Sequence, residues 1–124
     1  MAVAILRQGD YLVASIRSDL TDRDVLALRD DLAERVGSDG ARGLIIDVAA
    51  LDVIDSFVAR SLRSIAMTAK LRGAETVIVG IQPDVAIAMV QFHLNLQPLR
   101  ATLDLDEALA LLDRLTQGGA EDAG

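Results

Sequence analysis

The alternation of hydrophobic and polar residues along this chain predicts five strands. Residues 3–8 and 11–16 are apolar or alternating, and Gly9 and Asp10 between them are typical of a tight hairpin turn. Residues 44–48 and 76–81 are mostly apolar and rich in β-branched side chains, which indicates strands buried on both faces. A shorter run at 99–103 predicts a fifth strand.

Between these runs, apolar residues recur every three or four positions, the spacing of one face of an α-helix. The first helix is predicted to open at Thr21, because Asp24 completes a capping-box pattern three residues later. A second helix begins near Asp55, a third opens at Pro83, and the last one ends at about Leu115.

The resulting element order, β-β-α-β-α-β-α-β-α, predicts an α/β fold. We expect a mixed, largely parallel central sheet of about five strands, with about four helices mainly on one face. A single domain over residues 1–116 accounts for the whole pattern. Residues 117–124 are small and polar, and we predict that they form a flexible acidic tail.

Composition narrows the possible functions. The chain has no cysteine and one histidine among 124 residues, which excludes disulfides, thiol catalysis and a His-rich zinc centre, and we predict no metal and no cofactor. A net charge of −7 with 2% aromatic residues argues against a nucleic-acid partner. We find neither a signal peptide nor an apolar run long enough to span a membrane, so we predict a cytoplasmic protein without a membrane partner.

The segment that follows the third predicted strand carries the candidate chemistry. Asp55 is the expected N-cap of the second helix, which places Ser56 in the first turn, where backbone N–H groups are unpaired. A phosphate on Ser56 would bring about −1.5 to −2 charges to that positive helix end, and Arg60 four residues later could pair with it. Asp52 and Asp55 would concentrate the negative charge and could help to repel a partner. The alternative is that Ser56 only caps the helix.

The second helix also presents a polar stripe, formed by Arg60, Arg63, Met67 and Lys70 on the side opposite its apolar residues. Such a stripe is usually a solvated face. Next to a modified Ser56 it would also suit the docking of a protein partner.

A nucleotide hydrolase that uses Asp47 or Asp52 with a metal ion is a further, weaker possibility. The glycines at 37–43 follow a helix and precede a strand, whereas a phosphate-binding loop joins a strand to a helix. These glycines therefore indicate a helix end rather than a nucleotide site.

Several segments together resemble the STAS domains of bacterial anti-sigma factor antagonists. The sequence DSFVAR at 55–60 is similar to the phosphoacceptor loop of that family. The resemblance covers about residues 3–115 and is greatest to the single-domain, RsbS-type stressosome branch. It is carried by ILRQGDYLVASI at 5–16, DLTDRD at 19–24, AKLRGAETVIVGIQPDVAI at 69–87 and LDLDEALALL at 103–112.

This resemblance implies a regulatory scaffold rather than an enzyme. It implies that the chain co-assembles with RsbR-type STAS paralogues, as a homo- or hetero-oligomer, and sequesters an RsbT-like serine kinase. The kinase would phosphorylate Ser56 and then leave. The residues expected to contact the partner are Asp52, Asp55, Phe57, Arg60, Arg63 and Lys70. The alternative is a freestanding anti-sigma factor antagonist that is switched by phosphorylation of the same serine.

Overall fold

The chain folds around one central sheet. The computed structural model describes residues 3–123, with side chains described for residues 3–116. Its strands are β1 (Ile5–Gln8), β2 (Tyr11–Ser15), β3 (Gly43–Asp47), β4 (Glu75–Val79) and β5 (Arg100–Thr102). Its helices are α1 (Asp22–Asp39), α2 (Ser56–Leu71), α3 (Pro83–Gln91) and α4 (Leu105–Ala123).

The strands lie in the order β1-β2-β3-β4-β5 within the described residues. The hairpin β1–β2 is antiparallel, with Gln8 opposite Tyr11, and Gly9 takes a positive φ of 61° in the turn. The other three pairings are parallel, because a helix crosses between successive strands. This confirms the predicted mixed, largely parallel sheet of five strands.

The two faces of the sheet bury different sets of side chains. One face carries Leu12, Leu44 and Ile78 in a cluster that also receives buried residues of α1, α2 and α3. The opposite face carries Tyr11, Ile45, Val77 and Val79 against Ala108 and Leu112 of α4. Three of the four described helices therefore share one face, as predicted, and α4 covers the other.

Helix α4 approaches the sheet closely at Gly43. A Cβ atom on this glycine would lie 2.9 Å from Leu112 Cδ2, so any larger residue here would force the packed side chain of Leu112 to move. The Tyr11 hydroxyl donates a 2.5 Å hydrogen bond to Asp113 on the same helix. Burial of the phenol is the largest cause that raises the pKa of Tyr11 above its usual value, and the hydrogen bond to the Asp113 carboxylate raises it further.

The predicted helix starts are confirmed. Thr21 and Asp24 form the reciprocal capping box at α1, and Pro83 is the first residue of α3. The predicted end of the last helix near Leu115 is wrong, since α4 continues to Ala123. Alanine, glutamate and glutamine after Leu115 favour helix, and the two glycines among them do not end it. The sequence predicts that residues 117–124 are flexible. Because their side chains lie outside the described part of the structure, this flexibility stays a prediction.

Candidate functional site

The loop between β3 and α2 presents Ser56 at the surface. Leu51 and Ile54 within this loop are both 5% exposed, so the segment is anchored in the core on the side of the sheet that α1 and α2 cover. Between and after these anchors, Asp52, Val53, Asp55 and Ser56 are exposed. The alternation of anchors and exposed residues fixes the path of the chain into α2.

Asp55 caps α2, as predicted. Its backbone is extended, and its carboxylate accepts a 2.8 Å hydrogen bond from the N–H of Val58. Ser56 is the first residue of the helix, and its side chain is exposed while Phe57 is half-buried. Because a helix leaves its first N–H groups without intrahelical partners, the amides of Ser56 and Phe57 point out of the same end that holds the serine hydroxyl.

Side chains from the connections that follow β2 and β4 reach the β3–α2 loop. The Ser18 hydroxyl donates to the carbonyl of Ala50 at 3.0 Å and accepts from the N–H of Asp52 at 3.3 Å. The Gln82 amide donates to the carbonyl of Ala49 at 2.8 Å. Asp47, at the end of β3, accepts from the N–H of Ala49 at 2.9 Å.

Neither Ser18 nor Gln82 is predicted as a site residue from the sequence. Each of them lies three residues beyond the end of a strand, Ser18 after β2 and Gln82 after β4. The carboxyl ends of neighbouring parallel strands meet at one edge of a sheet, so residues that follow β2 and β4 lie near the loop that follows β3. Their position just after a strand was therefore the feature of the sequence that could have identified Ser18 and Gln82. Their hydrogen bonds span 32 to 34 residues of sequence, which no local pattern reveals.

Two clefts flank the start of α2. One, of about 330 Å³, lies towards the β2–α1 connection and is lined by Ser18, Asp22, Asp52 and Asp55 among others. The other, of about 370 Å³, lies towards α3 and includes Ser56 itself. Its lining combines the carboxylates of Asp52, Asp55 and Asp84 with the apolar side chains of Val53, Val85, Ala88 and Phe92.

The predicted stripe on α2 is exposed in the structure. Arg60, Arg63, Met67 and Lys70 all face solvent, while Leu62, Ile65 and Ala69 on the opposite side are buried. Val58, in the first turn of the same helix, is half-buried and lines the cleft beside the β2–α1 connection. Arg63 also has a structural contact, since its Nε donates to the carbonyl of Gln97 at 3.3 Å.

Asp47 and Asp52, the two candidates for a metal-dependent hydrolase, have different surroundings in the structure. Asp47 is bound to the backbone of its own loop, and Asp52 is exposed. Within the described residues, no group of three acidic or histidine side chains is close enough to hold a metal ion.

In the same part of the chain, none of the helices has the length and apolar character needed to cross a bilayer.

Comparison with known proteins identifies relatives of this fold and sequence. The STAS domain family model matches residues 2–108. The chain is 34% identical to a solved Ser-to-Glu variant of Moorella thermoacetica RsbS, with a TM-score of 0.81, covering 94% of this chain and 99% of that one.

A chain from a structure of the molecular architecture of the stressosome is 36% identical, with a TM-score of 0.77, covering 92% of this chain and 99% of that one. The RsbT co-antagonist protein RsbRD of Bacillus subtilis is 31% identical over 67 residues, which is 54% of this chain. The matched segment spans 24% of RsbRD, so that relative is a much longer protein.

Proposed function

This chain belongs to the STAS domain family, and we propose that it is a non-enzymatic scaffold of a stressosome-type assembly in the cytoplasm. In this proposal it co-assembles with RsbR-type STAS paralogues and sequesters an RsbT-like serine kinase. The kinase phosphorylates Ser56 and is released to activate stress signalling.

The exposed hydroxyl of Ser56 at the first position of α2 is the observation that carries this proposal. The serine is accessible to a kinase without unfolding, and the first-turn backbone amides, which have no intrahelical partner, lie at the same helix end. Identity of 34% to RsbS and 36% to the stressosome chain, over more than nine-tenths of this chain, supports the assembly. The similarity to RsbRD, named as an RsbT co-antagonist, supports the choice of kinase.

The charges around Ser56 suggest how phosphorylation would release the kinase. A phosphoserine would take the formal charge of the chain from −7 to about −9. This charge would be added to a cleft that already holds Asp52, Asp55 and Asp84. The positive N-terminal end of α2 would stabilise the phosphate on its own helix, while a partner that presents negative charge would be repelled. Arg60, Arg63 and Lys70 on the exposed face of α2 are proposed to hold the kinase before transfer.

A labelling experiment tests the proposal. The purified chain is incubated with an RsbT-like kinase from the same genome and radiolabelled ATP, and the modified residue is located by mass spectrometry. We expect wild-type protein to be labelled on Ser56 and Ser56→Ala to remain unlabelled. Ser64→Ala, which removes a hydroxyl two turns further along the same helix, should be labelled like wild type. Equal labelling of Ser56→Ala and wild type would contradict the proposal.

Size-exclusion chromatography distinguishes assembly from a freestanding antagonist. Mixed with an RsbR-type paralogue, the chain should elute in a particle far larger than either protein alone. If the mixture elutes as two small proteins while Ser56 is still labelled, the chain acts as a freestanding antagonist instead.

A further inference from the structure

Three side chains tie down the loop that precedes Ser56, and two of them come from neighbouring connections. Ser18, beyond β2, contacts the loop at Ala50 and Asp52, whereas Gln82, beyond β4, contacts it at Ala49. The loop between β3 and α2 is thus held from both sides, and Asp47 adds a third contact from within.

The β4–α3 connection also touches the loop through its backbone. Gly80 has a φ of 80°, and a Cβ atom on it would lie 2.9 Å from the Cβ of Ala49 and 3.2 Å from its Cα. Ala49 is therefore held between Gly80 and the Gln82 hydrogen bond. Contact at this point does not depend on the rotamer of any long side chain.

We infer that Ser18 and Gln82 are positioning residues for phosphoryl transfer to Ser56. This inference rests on the proposed function, since it concerns the same serine. Both residues fix the backbone four to seven positions before Ser56, and they hold the exposed parts of a loop whose buried parts are anchored by Leu51 and Ile54. The path from Ser18 to the serine hydroxyl then runs through Asp52, Val53, the buried Ile54 and the Asp55 cap.

The expected effect is on rate rather than on folding. Ser18 is exposed, so water can replace its hydroxyl at the Ala50 carbonyl and the Asp52 amide when the side chain is removed. The loop would keep its anchors but would sample a wider range of positions. Reaction rates respond strongly to small displacements of a reacting group, because the nucleophile must sit within contact distance of the phosphorus.

The test compares Ser18→Ala with Ser18→Thr, and Gln82→Glu with wild type. Ser18→Ala removes both hydrogen bonds, whereas threonine keeps the hydroxyl. Gln82→Glu keeps the size of the side chain but removes the N–H that binds Ala49. Ser38→Ala is the control, because Ser38 is exposed, lies far from the loop in sequence, and donates its hydroxyl to the adjacent Asp39. The initial rate of labelling on Ser56 is measured at saturating and at limiting protein substrate, together with the melting temperature of each variant.

We expect Ser18→Ala and Gln82→Glu to lower the labelling rate at saturation by roughly two- to tenfold, the range that corresponds to one or two hydrogen bonds. Ser18→Thr should restore most of the rate, and Ser38→Ala should not differ from wild type. If wild type is labelled on Ser56 and Ser18→Ala is labelled equally fast, the positioning role is overturned and the proposed function stands. If wild type is not labelled on Ser56, the proposed function fails and this inference fails with it.

Discussion

Substitution of Asp55 separates the structural role of the site from its electrostatic role. The carboxylate accepts the Val58 N–H at 2.8 Å, and it lies at the positive end of the 16-residue helix α2. Loss of an N-cap side chain costs about 1 kcal/mol, and loss of a negative charge at this end costs roughly 0.3–1 kcal/mol. We therefore expect Asp55→Ala to lower the free energy of unfolding by about 1.5 kcal/mol.

That energy corresponds to a measurable shift in melting temperature. For 124 residues the unfolding entropy is about 0.26 kcal/mol/K, so the shift is about 6 °C. Asp55→Asn keeps a good N-cap and loses only the charge, and its shift should be about 1–4 °C. Thermal unfolding followed by circular dichroism, with urea titration as a second probe, measures both values.

Asp52→Ala is the matched control. Asp52 lies three residues earlier on the same exposed loop, and its contact to Ser18 is made by its backbone N–H, which alanine retains. We expect its stability to stay within about 0.5 kcal/mol of wild type. If Asp55→Ala proved no less stable than Asp52→Ala, the Asp55 carboxylate would not cap α2, and the geometric basis for an exposed, fixed Ser56 would be lost.

Two further predictions concern the opposite face of the sheet. The folded-state pKa of Tyr11 is raised, so the stability that its protonated phenol contributes is present below pH 10 and is lost as the pH rises above that value. Urea titrations at increasing pH should show this decline in the free energy of unfolding, and Tyr11→Phe should flatten it. A tyrosinate absorbance that titrates at the ordinary pH in the folded protein would contradict this, since Tyr11 is the sole tyrosine. Gly43→Ala should cost roughly 1–3 kcal/mol, because its Cβ would lie 2.9 Å from Leu112 and 3.0 Å from Tyr11 in the packed contact with α4. Gly37→Ala inside α1 should not destabilise the fold, because its Cβ would approach the guanidinium end of the exposed Arg72, at 2.5 Å, which can move into solvent. Denaturation of both variants checks the contrast.

The fold was predictable because its signals are local. Thr21, Asp24 and Asp55 mark helix starts through side-chain bonds to backbone groups three residues away, and such bonds are visible as sequence spacing. The end of α4 was not predictable in the same way. The small, polar residues after Leu115 favoured a tail, yet nothing there ends the helix in the way that Gly40 ends α1 by adopting a left-handed backbone.

The candidate site was predictable only in part. Its exposed serine and its cap lie within one short segment, so the sequence revealed them together. Ser18 and Gln82 act on that segment from more than 25 residues away, and their roles depend on the β2-β3-β4 strand order that brings them alongside. Gln82 also holds the N-cap position of α3 without capping it, because its amide is bound to Ala49 instead.

The way the Ser56 loop is held bears on how a modification there would act. A switch that works through conformational change needs an element with two arrangements that differ by only a few kcal/mol. The β3–α2 loop is buried at Leu51 and Ile54 and bonded to three separate side chains, so a second arrangement would break several contacts at once. A charge added at Ser56 would therefore leave the conformation of the domain unchanged and would alter only the surface that a partner contacts. The partner's own charge and shape, rather than a rearrangement of this chain, would then decide whether the complex survives phosphorylation.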